Sequence, residues 1–392
     1  ASGTNVFDWK IPDEWNINSG WIKNSKGEKI IDFQNNNLHI LNYSEPVCKK
    51  VNFEELLKHT HTLRSQPNLI PYRTSYYEKK WGFCMSYNTL LSLNKDDTYE
   101  VFIDSNFDKK GSLTFGEIDI KGIGKKEYLI STYTCHPSMA NDNLSGIILT
   151  ILLAKYLKKC KLNNNYKIIF APETIGAIAF LSKNKNLLKG IEGGFIVTTV
   201  AGKGKLGFKE TFLGDSDIDK SIILALGNKE FIKYPFIPDG SDERQYSSPG
   251  FRIPVASITK DKYYEYNEYH TSGDNLNFIS SECLLETLQL YKKAINNLER
   301  NILFTRTNPY CEYQLGKYGL YPKTGGEINQ PLVIKNHKTM SSNQKINCLG
   351  WLSFLCDGTN SLMDISLKSK IDMDLLYAVA SEMEEFKLLK KI

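Results

Sequence analysis

The sequence has few histidines and lacks the paired cysteines that bind structural zinc. Only 6 of its 392 residues are histidine, and none of its 8 cysteines belongs to a C-x-x-C pair. Zinc ribbons and disulfide frameworks are therefore disfavoured, and we expect reduced thiols in a cytosolic protein. In so histidine-poor a chain, a histidine directly after a predicted strand becomes a candidate for a specific role.

Long apolar segments and strong charge are also missing. No apolar run reaches the length of a membrane span, no signal peptide opens the sequence, and no repeat or low-complexity tract occurs. The formal net charge is only +5, and the basic residues are scattered. We therefore expect a cytoplasmic protein that has neither a membrane nor a nucleic acid as its partner, and homo-oligomer formation stays open.

The length allows two or three domains, and the sequence pattern changes along the chain. Up to about residue 125 the chain is aromatic-rich and predicts short strands at 37–41, 81–85 and 99–103. From about residue 127, strands alternate with helices: the strands are at 128–134, 166–170, 194–198 and 253–258, and the helices at 143–159, 174–184 and 281–301. Such alternation predicts βαβ crossovers and a mostly parallel sheet.

The last part of the sequence predicts a helical unit. After a loop rich in Gly, Pro and Asn at 316–343, helical stretches follow at 348–355, 361–369 and 373–389. Tight turns between three helices are typical of a helix-turn-helix, including its winged form. The last helix contains five acids: Asp372, Asp374, Glu382, Glu384 and Glu385. Because phosphate would repel them, we expect a protein contact or a substrate-gating role rather than DNA binding.

Two histidines and two acids lie where predicted strands end. His136 follows the first strand of the alternating region, Glu173 ends the second, His270 follows the last, and Asp142 begins the first helix. Because open α/β sheets bind ligands at the carboxyl ends of their strands, we expect these side chains to converge. Two imidazoles and a carboxylate can hold Zn²⁺, which lowers the pKa of bound water to roughly 7. Glu173 would act as the general base while that water attacks a carbonyl.

Five short motifs follow one another in a recognisable order: HP at 136–137, NDNLSG at 141–146, ETIG at 173–176, GSDER at 240–244 and YHTS at 269–272. They resemble the motifs of zinc exopeptidases of the M28 aminopeptidase type. The whole chain more closely resembles a bacterial family of M28-like proteins with an inserted β domain and a C-terminal winged helix, designated DUF4910 and DUF2172. VFDWKIP at 6–12 and SYYEKKWGFC at 75–84 belong to that resemblance.

The resemblance implies a fold and a domain order. The fold is an α/β domain with the mostly parallel sheet of zinc exopeptidases (phosphorylase/hydrolase-like), together with a β-rich domain and a winged helix. The expected domains are an exopeptidase-like domain at 1–30 and 115–305, a β-rich insert at 31–114, and a winged helix at 306–392.

The resemblance also implies four roles: His136 as ligand of one metal, Asp142 as bridging carboxylate, His270 as ligand of a second metal, and Glu173 as general base. Two positions depart from the family pattern. Thr174 stands where a two-metal enzyme has a second glutamate, and the stretch 198–200 (TTV) stands where it has an aspartate.

These departures favour one zinc per chain, held by His136, Asp142 and His270. Two zinc ions, or a metal held by Asp242 or Glu243, are the alternatives. The loop at 239–244 has a turn as its simpler interpretation.

In the functional interpretation of the same loop, Asp242, Arg244 and Tyr246 bind substrate: Arg244 holds a carboxylate, and Tyr246 adds a hydrogen bond. Asp274, just beyond His270, either fixes an imidazole as a second-layer partner or caps a helix.

The function that we expect is zinc-dependent amide hydrolysis of the aminopeptidase type, with a peptide or small amide as substrate. One alternative is a deacylase that acts on an amino sugar or another small amide. The other is a catalytically inactive metal-binding or scaffold protein that keeps the fold.

Two further patterns receive simpler interpretations. GKGKLG at 202–207 has the G-x-G-x-x-G spacing of dinucleotide sites, but the required helix does not follow it. We expect these glycines to shape a loop over the pocket, where Lys203 or Lys205 would meet an anionic group. The remaining histidines lack comparable neighbours: His39, His59, His61 and His337.

Overall fold

The computed structural model describes residues 1–321, 331–332 and 340–392. It divides into two compact units: Ala1–Phe212 with Glu230–Leu288, and Leu213–Lys229 with Gln289–Ile392. His337 and the middle of the predicted loop at 316–343 lie outside the described residues. No helix within the described residues is long and apolar enough to cross a membrane.

The first unit contains a seven-stranded sheet. In spatial order its strands are Ile232–Tyr234, Leu206–Lys209, Val255–Lys260, Ile191–Ile196, Glu127–Tyr133, Asn165–Ala171 and Gly116–Ile120. The four strands from Val255–Lys260 to Asn165–Ala171 are parallel to one another, and an antiparallel pairing borders them on each side. This arrangement confirms the mostly parallel sheet that the alternating pattern predicts.

Helices follow the parallel strands as predicted. The α-helices that lie wholly within the first unit are Phe53–Lys58, Tyr87–Leu91, Gly146–Leu157, Ile175–Lys183 and Glu243–Tyr246. Ser281–Glu299 begins in the first unit and ends in the second. Three short 3₁₀ helices lie at Asn37–His39, Leu187–Gly190 and Leu315–Tyr318. Fully buried apolar side chains such as Leu129, Phe180 and Val255 build the core between strand and helix.

A second, antiparallel sheet forms the β-rich region. Its strands, in spatial order, are Lys29–Asp32, Glu14–Lys23, Thr98–Asp108 and Val47–Asn52. Because Glu14–Lys23 pairs along its length with Thr98–Asp108, the β-rich region begins near residue 14 and not at the expected residue 31. The alternation in EWNINSGWIK, whose Ile22 is fully buried, is the strand pattern that the sequence analysis missed.

The predicted strand at 37–41 is wrong. Residues Asn37–His39 form a 3₁₀ helix, which begins where the side chain of Asn36 accepts the N–H of Leu38 at 3.0 Å. Such an Asn cap competes with strand formation. Among the described residues, further short strands form three pairs: Asn5–Val6 with Trp9–Lys10, Thr60–His61 with Phe83–Cys84, and Pro331–Leu332 with Met340–Ser341.

The second unit has the winged-helix arrangement that the sequence predicts. A three-stranded sheet contains Asp357–Ser361, Leu303–Arg306 and Leu389–Lys391, and its helices are Asp217–Leu226, Ser342–Leu355, Leu362–Ser369 and Met373–Glu385. The sheet starts at Leu303, slightly before the expected boundary at 306. Three of the five acids that the sequence places in the last helix form ion pairs within the unit: Asp374 with Arg300, Glu382 with Lys345, and Glu384 with Lys391.

Candidate metal centre

The segment that carries Asp142 is held at the ends of the central strands by two asparagines. Asn141 Nδ2 donates to the carbonyl of Lys260 at 3.1 Å, and Asn143 Nδ2 donates to the carbonyl of Tyr133 at 2.9 Å. Both asparagines are completely buried. Their side chains pair with strand-end carbonyls and so fix the residues on both sides of Asp142.

Gly146 allows the following helix to start close to the sheet. A Cβ atom at this position would lie 2.5 Å from the carbonyl oxygen of Val197 and would also collide with the side chain of Asn143. Because only glycine fits there, the Ser-Gly pair in NDNLSG lets the helix Gly146–Leu157 begin directly after the Asp142 segment.

His136, Asp142 and His270 converge as predicted. One possible ligand atom from each lies within 4.8 Å of the others. Asp142 Oδ2 is 3.3 Å from His270 Nε2 and 3.8 Å from His136 Nε2. Asp142 Oδ2, His270 Nε2 and His136 Nδ1 are buried and have no hydrogen-bond partner among the described residues. Buried polar atoms without partners are rare and costly, and two imidazoles with a carboxylate are a donor set that fits Zn²⁺.

Two tyrosines set the planes of the imidazole rings. Tyr72 stacks on His136 with ring centroids 4.8 Å apart, and Tyr269 stacks on His270 at 3.9 Å. Burial lowers the pKa of His136. The neutral imidazole is the form that binds metals, so this environment favours ligation.

The two carboxylate oxygens of Asp142 have different environments. Oδ2 is unpaired, whereas Oδ1 accepts a hydrogen bond from the hydroxyl of Tyr133. The same hydroxyl lies 2.6 Å from Thr198 Oγ1. Burial would raise the pKa of Asp142, but the charge of His136 and hydrogen bonding outweigh it, so the pKa lies below its ordinary value. Tyr133 is not predictable as a site residue from the sequence, because its position in YLISTY is that of an ordinary core residue of a strand.

Glu173 lies beside this cluster, just after the strand Asn165–Ala171. Its Oε2 is 3.4 Å from His136 Nε2, and its Oε1 accepts the hydroxyl of Ser241 at 2.6 Å. Burial, together with the negative charge of Asp142, raises the pKa of Glu173 to about 7. A carboxyl group with such a pKa can exchange a proton near neutral pH.

Cys135 provides a second group of potential ligands. Its sulfur accepts the N–H of Glu173 at 3.3 Å, and ligand atoms of Cys135, His136 and Glu173 lie within 4.8 Å of one another. Burial raises the pKa of the Cys135 thiol well above its ordinary value. Because metals bind the thiolate, this group is the weaker candidate.

The structure does not bring Tyr246 or Arg244 to the candidate site. Tyr246 is completely buried in the core, and its hydroxyl lies 3.0 Å from Ser131 Oγ. The predicted substrate contact of Tyr246 is therefore wrong, because its side chain has no exposed surface. Arg244 is exposed, and it is not among the described residues that line the cavity beside His136.

Asp242 and Glu243 are buried and already hydrogen-bonded. Asp242 Oδ1 accepts the N–H of Thr174 at 2.7 Å, and burial raises the pKa of Asp242 well above its ordinary value. Glu243 accepts the hydroxyl of Tyr263 at 2.8 Å and the N–H of Ser241 at 3.0 Å. These bonds make the two acids part of the loop's framework rather than a metal site or a substrate contact.

Asp274 supports the candidate site through the backbone. Its two oxygens accept the N–H groups of Asn141 at 2.6 Å and Asp142 at 3.0 Å, and Oδ2 also accepts the hydroxyl of Tyr266 at 3.0 Å. None of these three bonds is to an imidazole, and the two accepted N–H groups lie in the first turn of Ala140–Ser145, which agrees with the alternative of a helix cap. Asp274 thus positions the segment that presents Asp142.

The glycines of GKGKLG are explained by Asp261. Its carboxylate accepts the N–H groups of Gly204 at 2.8 Å and Lys205 at 3.2 Å, and a Cβ atom on Gly204 would collide with it. Lys203 donates to the carbonyl of Asn277 at 2.7 Å. The strand Leu206–Lys209 follows instead of a helix, as the sequence analysis expected.

A cavity of about 300 Å³ opens beside His136 and Glu173. Five aromatic residues line it: Trp9, Tyr43, Tyr72, Tyr76 and Tyr77. A small molecule bound there would therefore contact aromatic rings on its way to the metal cluster.

Comparison with known proteins places the chain in a family. The family model "Domain of unknown function (DUF4910)" matches residues 1–301, and the model "winged helix-turn-helix" matches residues 303–391. A Clostridium acetobutylicum protein named "Putative polysaccharide biosynthesis protein with aminopeptidase-like domain" is 42% identical over 393 residues, covering 100% of this chain and 87% of that protein. The crystal structure of a "putative peptidase" from the same organism matches 100% of this chain and 86% of that one, with a TM-score of 0.88 and 41% identity.

More distant structures share the fold. A zinc aminopeptidase from Bacillus subtilis matches 73% of this chain and 85% of its own, with a TM-score of 0.51 and 15% identity. A peptidase M28 precursor from Shewanella amazonensis matches 72% and 81%, with a TM-score of 0.51 and 13% identity. These matches confirm the exopeptidase-like α/β fold. The chain belongs to the DUF4910 family, and it combines an aminopeptidase-like domain with a C-terminal winged helix-turn-helix.

Proposed function

We propose that the protein is a zinc-dependent amide hydrolase of the aminopeptidase-like type. One observation carries the proposal: ligand atoms of His136, Asp142 and His270 lie within 4.8 Å of one another next to Glu173 and a cavity, and two of these residues, Asp142 and His270, present a buried atom (Oδ2 and Nε2) without a hydrogen-bond partner among the described residues. These three residues would hold the zinc ion. When bound, zinc lowers the pKa of water and polarises the carbonyl of an amide.

Glu173 would transfer the proton. The hydroxyl of Ser241 engages Oε1 of Glu173 and leaves Oε2, the oxygen 3.4 Å from His136, directed toward the cluster. Oε2 would accept a proton from the attacking water and then donate it to the leaving nitrogen. The raised pKa of Glu173 is consistent with both halves of this transfer.

We infer one zinc ion per chain. A carboxylate that bridges two metal ions uses both oxygens, and Oδ1 of Asp142 already accepts the hydroxyl of Tyr133. The stretch 198–200 stands where the two-metal pattern has an acid, and from it Thr198 contributes only a hydroxyl to the same network. Elemental analysis of protein purified without chelator should find about one zinc per chain; two would contradict this inference.

The fold and the relatives support two candidate substrate classes. A peptide is the first candidate because the structural relatives include a zinc aminopeptidase. An amide on a sugar is the second, because the 42% identical relative is named for polysaccharide biosynthesis. A cytoplasmic location and the absence of a nucleic-acid partner stay predictions.

The variant Glu173→Gln tests the proposed mechanism, with Glu192→Gln at an exposed position as the control. Both variants should bind as much zinc as the wild type. Glu173→Gln should lower the rate of amide hydrolysis by about 10²- to 10⁴-fold, because the amide cannot accept the proton. Unchanged turnover would rule out Glu173 as the base. A zinc-loaded wild type that hydrolyses neither aminoacyl amides nor N-acyl sugars would contradict the hydrolase proposal itself.

A further inference from the structure

Apart from the metal centre, the cavity beside His136 offers a substrate very little charge. Among the described residues that line it, Glu173 is the single acid, and there is neither a lysine nor an arginine. Glu173 is already engaged in the proposed proton transfer. A substrate ammonium next to the cleaved amide would therefore lack a dedicated partner, and leaving such a charge unpaired is unfavourable. The cavity therefore fits a substrate in which the groups attached to the carbonyl and to the nitrogen of the cleaved amide are both uncharged.

Aromatic rings at the cavity mouth remain accessible. Trp9, Tyr76 and Tyr77 are 43%, 63% and 53% exposed, although large aromatic side chains usually bury most of their surface. The face of an aromatic ring carries partial negative charge, so it attracts the weakly positive C–H groups of a flat ligand. A pyranose ring presents such a C–H face together with a rim of hydroxyls.

Polar groups near these rings could meet that rim. Asn42 and Thr174 line the same cavity, and Asn42 Nδ2 donates to the hydroxyl of Tyr72 at 3.2 Å. Neutral amide and hydroxyl groups can both donate and accept hydrogen bonds, as sugar hydroxyls do. Aromatic walls with a few neutral polar groups thus suit a sugar better than an amino acid with a free ammonium.

A second cavity of about 280 Å³ adjoins the first. The two share Pro12, Tyr43, Tyr76 and Tyr77 in their linings. The second cavity is also lined by charged residues of both signs, such as Lys10 and Glu78. We refer to the two adjoining cavities together as the aromatic cleft.

We propose that this aromatic cleft binds an N-acetylated amino sugar within a short glycan. The proposal rests on the hydrolase function above and names its substrate class. In the reaction, water adds to the acetyl carbonyl, the carbon–nitrogen bond breaks, and Glu173 passes a proton from the water to the sugar nitrogen. The products are acetate and the protonated amino sugar, so no oxidant, reductant or further reactant is needed.

The test compares N,N′-diacetylchitobiose and its tetramer with leucine amide, using the zinc-loaded full chain. Acetate release is measured for the sugars and ammonia release for leucine amide. We expect acetate release with a higher kcat/KM than ammonia release. Calorimetry with the Glu173→Gln variant measures sugar binding without turnover.

Variants of the exposed rings identify the binding surface. Trp9→Ala and Tyr76→Ala should each raise KM for the sugars about tenfold and leave kcat nearly unchanged, because they remove a stacking face. Tyr76→Phe keeps the ring and should retain the wild-type KM. Tyr310→Ala is the matched control, since Tyr310 is 78% exposed and lies in the other unit.

The outcomes separate this inference from the proposed function. Ammonia release from leucine amide without acetate release from the sugars would contradict the proposed sugar substrate, and it would support the proposed hydrolase function. If the protein binds the sugars, if Tyr76→Ala abolishes that binding, and if neither acetate nor ammonia is released, the hydrolase function would be contradicted and the sugar-binding site supported. No sugar binding by Glu173→Gln at millimolar concentrations, or equal loss in Tyr76→Ala and Tyr310→Ala, would overturn the sugar inference.

Discussion

Two buried clusters of charged residues in the first unit differ in whether their polar atoms have partners. In the paired cluster, Lys209 Nζ donates to the carbonyls of Pro235 at 2.9 Å and Phe236 at 2.6 Å, and it lies 3.6 Å from Glu243 Oε1. Glu243 also accepts the hydroxyl of Tyr263. In this cluster the polar groups of the protein satisfy one another.

In the unpaired cluster, which consists of His136, Asp142 and His270, each residue has a buried atom without a hydrogen-bond partner among the described residues: His136 Nδ1, Asp142 Oδ2 and His270 Nε2. Both clusters are at least partly buried, so burial alone does not distinguish them. The completeness of hydrogen bonding does: a complete cluster stabilises the fold, whereas an incomplete one leaves polar atoms that a bound ligand could satisfy. Substitutions in the two clusters should therefore affect different properties of the protein.

Asp142→Asn should have the largest effect, and the effect should fall on binding. Bound zinc should decrease from about one per chain to nearly none, and turnover should fall by at least about 10³-fold, because the anionic ligand is lost. Elemental analysis and an amide hydrolysis assay measure the two quantities. Asp96→Asn, at an exposed position, is the control.

The same variant should destabilise the metal-free protein only slightly. Because the pKa of Asp142 lies below its ordinary value, the folded protein favours the charged carboxylate, and its removal costs some stability at neutral pH. Chelator-treated Asp142→Asn should therefore unfold at a slightly lower urea concentration than the chelator-treated wild type, with a smaller loss than Glu243→Gln. Marked destabilisation would mean that Asp142 is part of the fold's framework, and the contrast between the clusters would fail.

Glu243→Gln should instead act on stability. It leaves the ammonium of Lys209 without its counter-charge, so we expect the free energy of unfolding to fall by about 3 kcal/mol, with bound zinc unchanged. Urea denaturation measures the loss. The double variant Lys209→Met/Glu243→Gln should be less destabilised than the two single variants together, because it removes both charges. A loss no greater than that of Glu192→Gln would show that the pair does not stabilise the fold.

Tyr133→Phe lies at the boundary of the unpaired cluster and should have an intermediate effect. The ring stays in the core, but Asp142 Oδ1 loses its hydrogen bond, so zinc affinity should fall about tenfold. Competition with a chromogenic chelator measures it. Thr198→Val, which removes only the outer member of the network, should weaken binding less. Equal affinities of Tyr133→Phe and the wild type would mean that the hydroxyl does not orient the carboxylate.

The sequence predicted the main sheet because buried parallel strands are short apolar runs between helical segments, as in YLISTY before His136. The β-rich region was predicted less well. Glu14–Lys23 is interrupted by polar residues and a glycine, and its pairing partner Thr98–Asp108 is remote in the chain. Pairing over such a separation is decided by tertiary structure, which a local pattern does not contain.

The candidate site shows the same limit. His136, Asp142, Glu173 and His270 were predictable because strand order brings strand ends together. The direction of a side chain within a loop or a short helix was not predictable from the sequence. Tyr246 is an example, because its side chain lies in the core and not at the cavity. The hydrogen bond from the hydroxyl of Tyr133 to Asp142 was not predictable either, because it depends on how the side chains pack.

Ser241 contacts Glu243 of the paired cluster and also Glu173, which lies beside the unpaired cluster. Of the substitutions proposed, that of Ser241 should have the smallest effect on activity. Its hydroxyl donates to Glu173 Oε1 at 2.6 Å, and its N–H donates to Glu243 Oε2 at 3.0 Å. The paired cluster thus fixes the backbone of Ser241, and the hydroxyl of Ser241 in turn fixes the proposed base.

Ser241→Ala removes only the hydroxyl contact with Glu173 Oε1 and keeps the N–H contact with Glu243 Oε2. We expect kcat to fall by about three- to tenfold, which corresponds to the loss of one hydrogen bond, while KM and bound zinc stay unchanged. Ser241→Thr keeps a hydroxyl and should recover most of kcat. If the alanine and threonine variants were equally slow, the effect would come from the shape of the loop. If only the alanine variant is slow, the paired cluster contributes to catalysis by positioning Ser241, which orients the proposed base Glu173 beside the unpaired cluster.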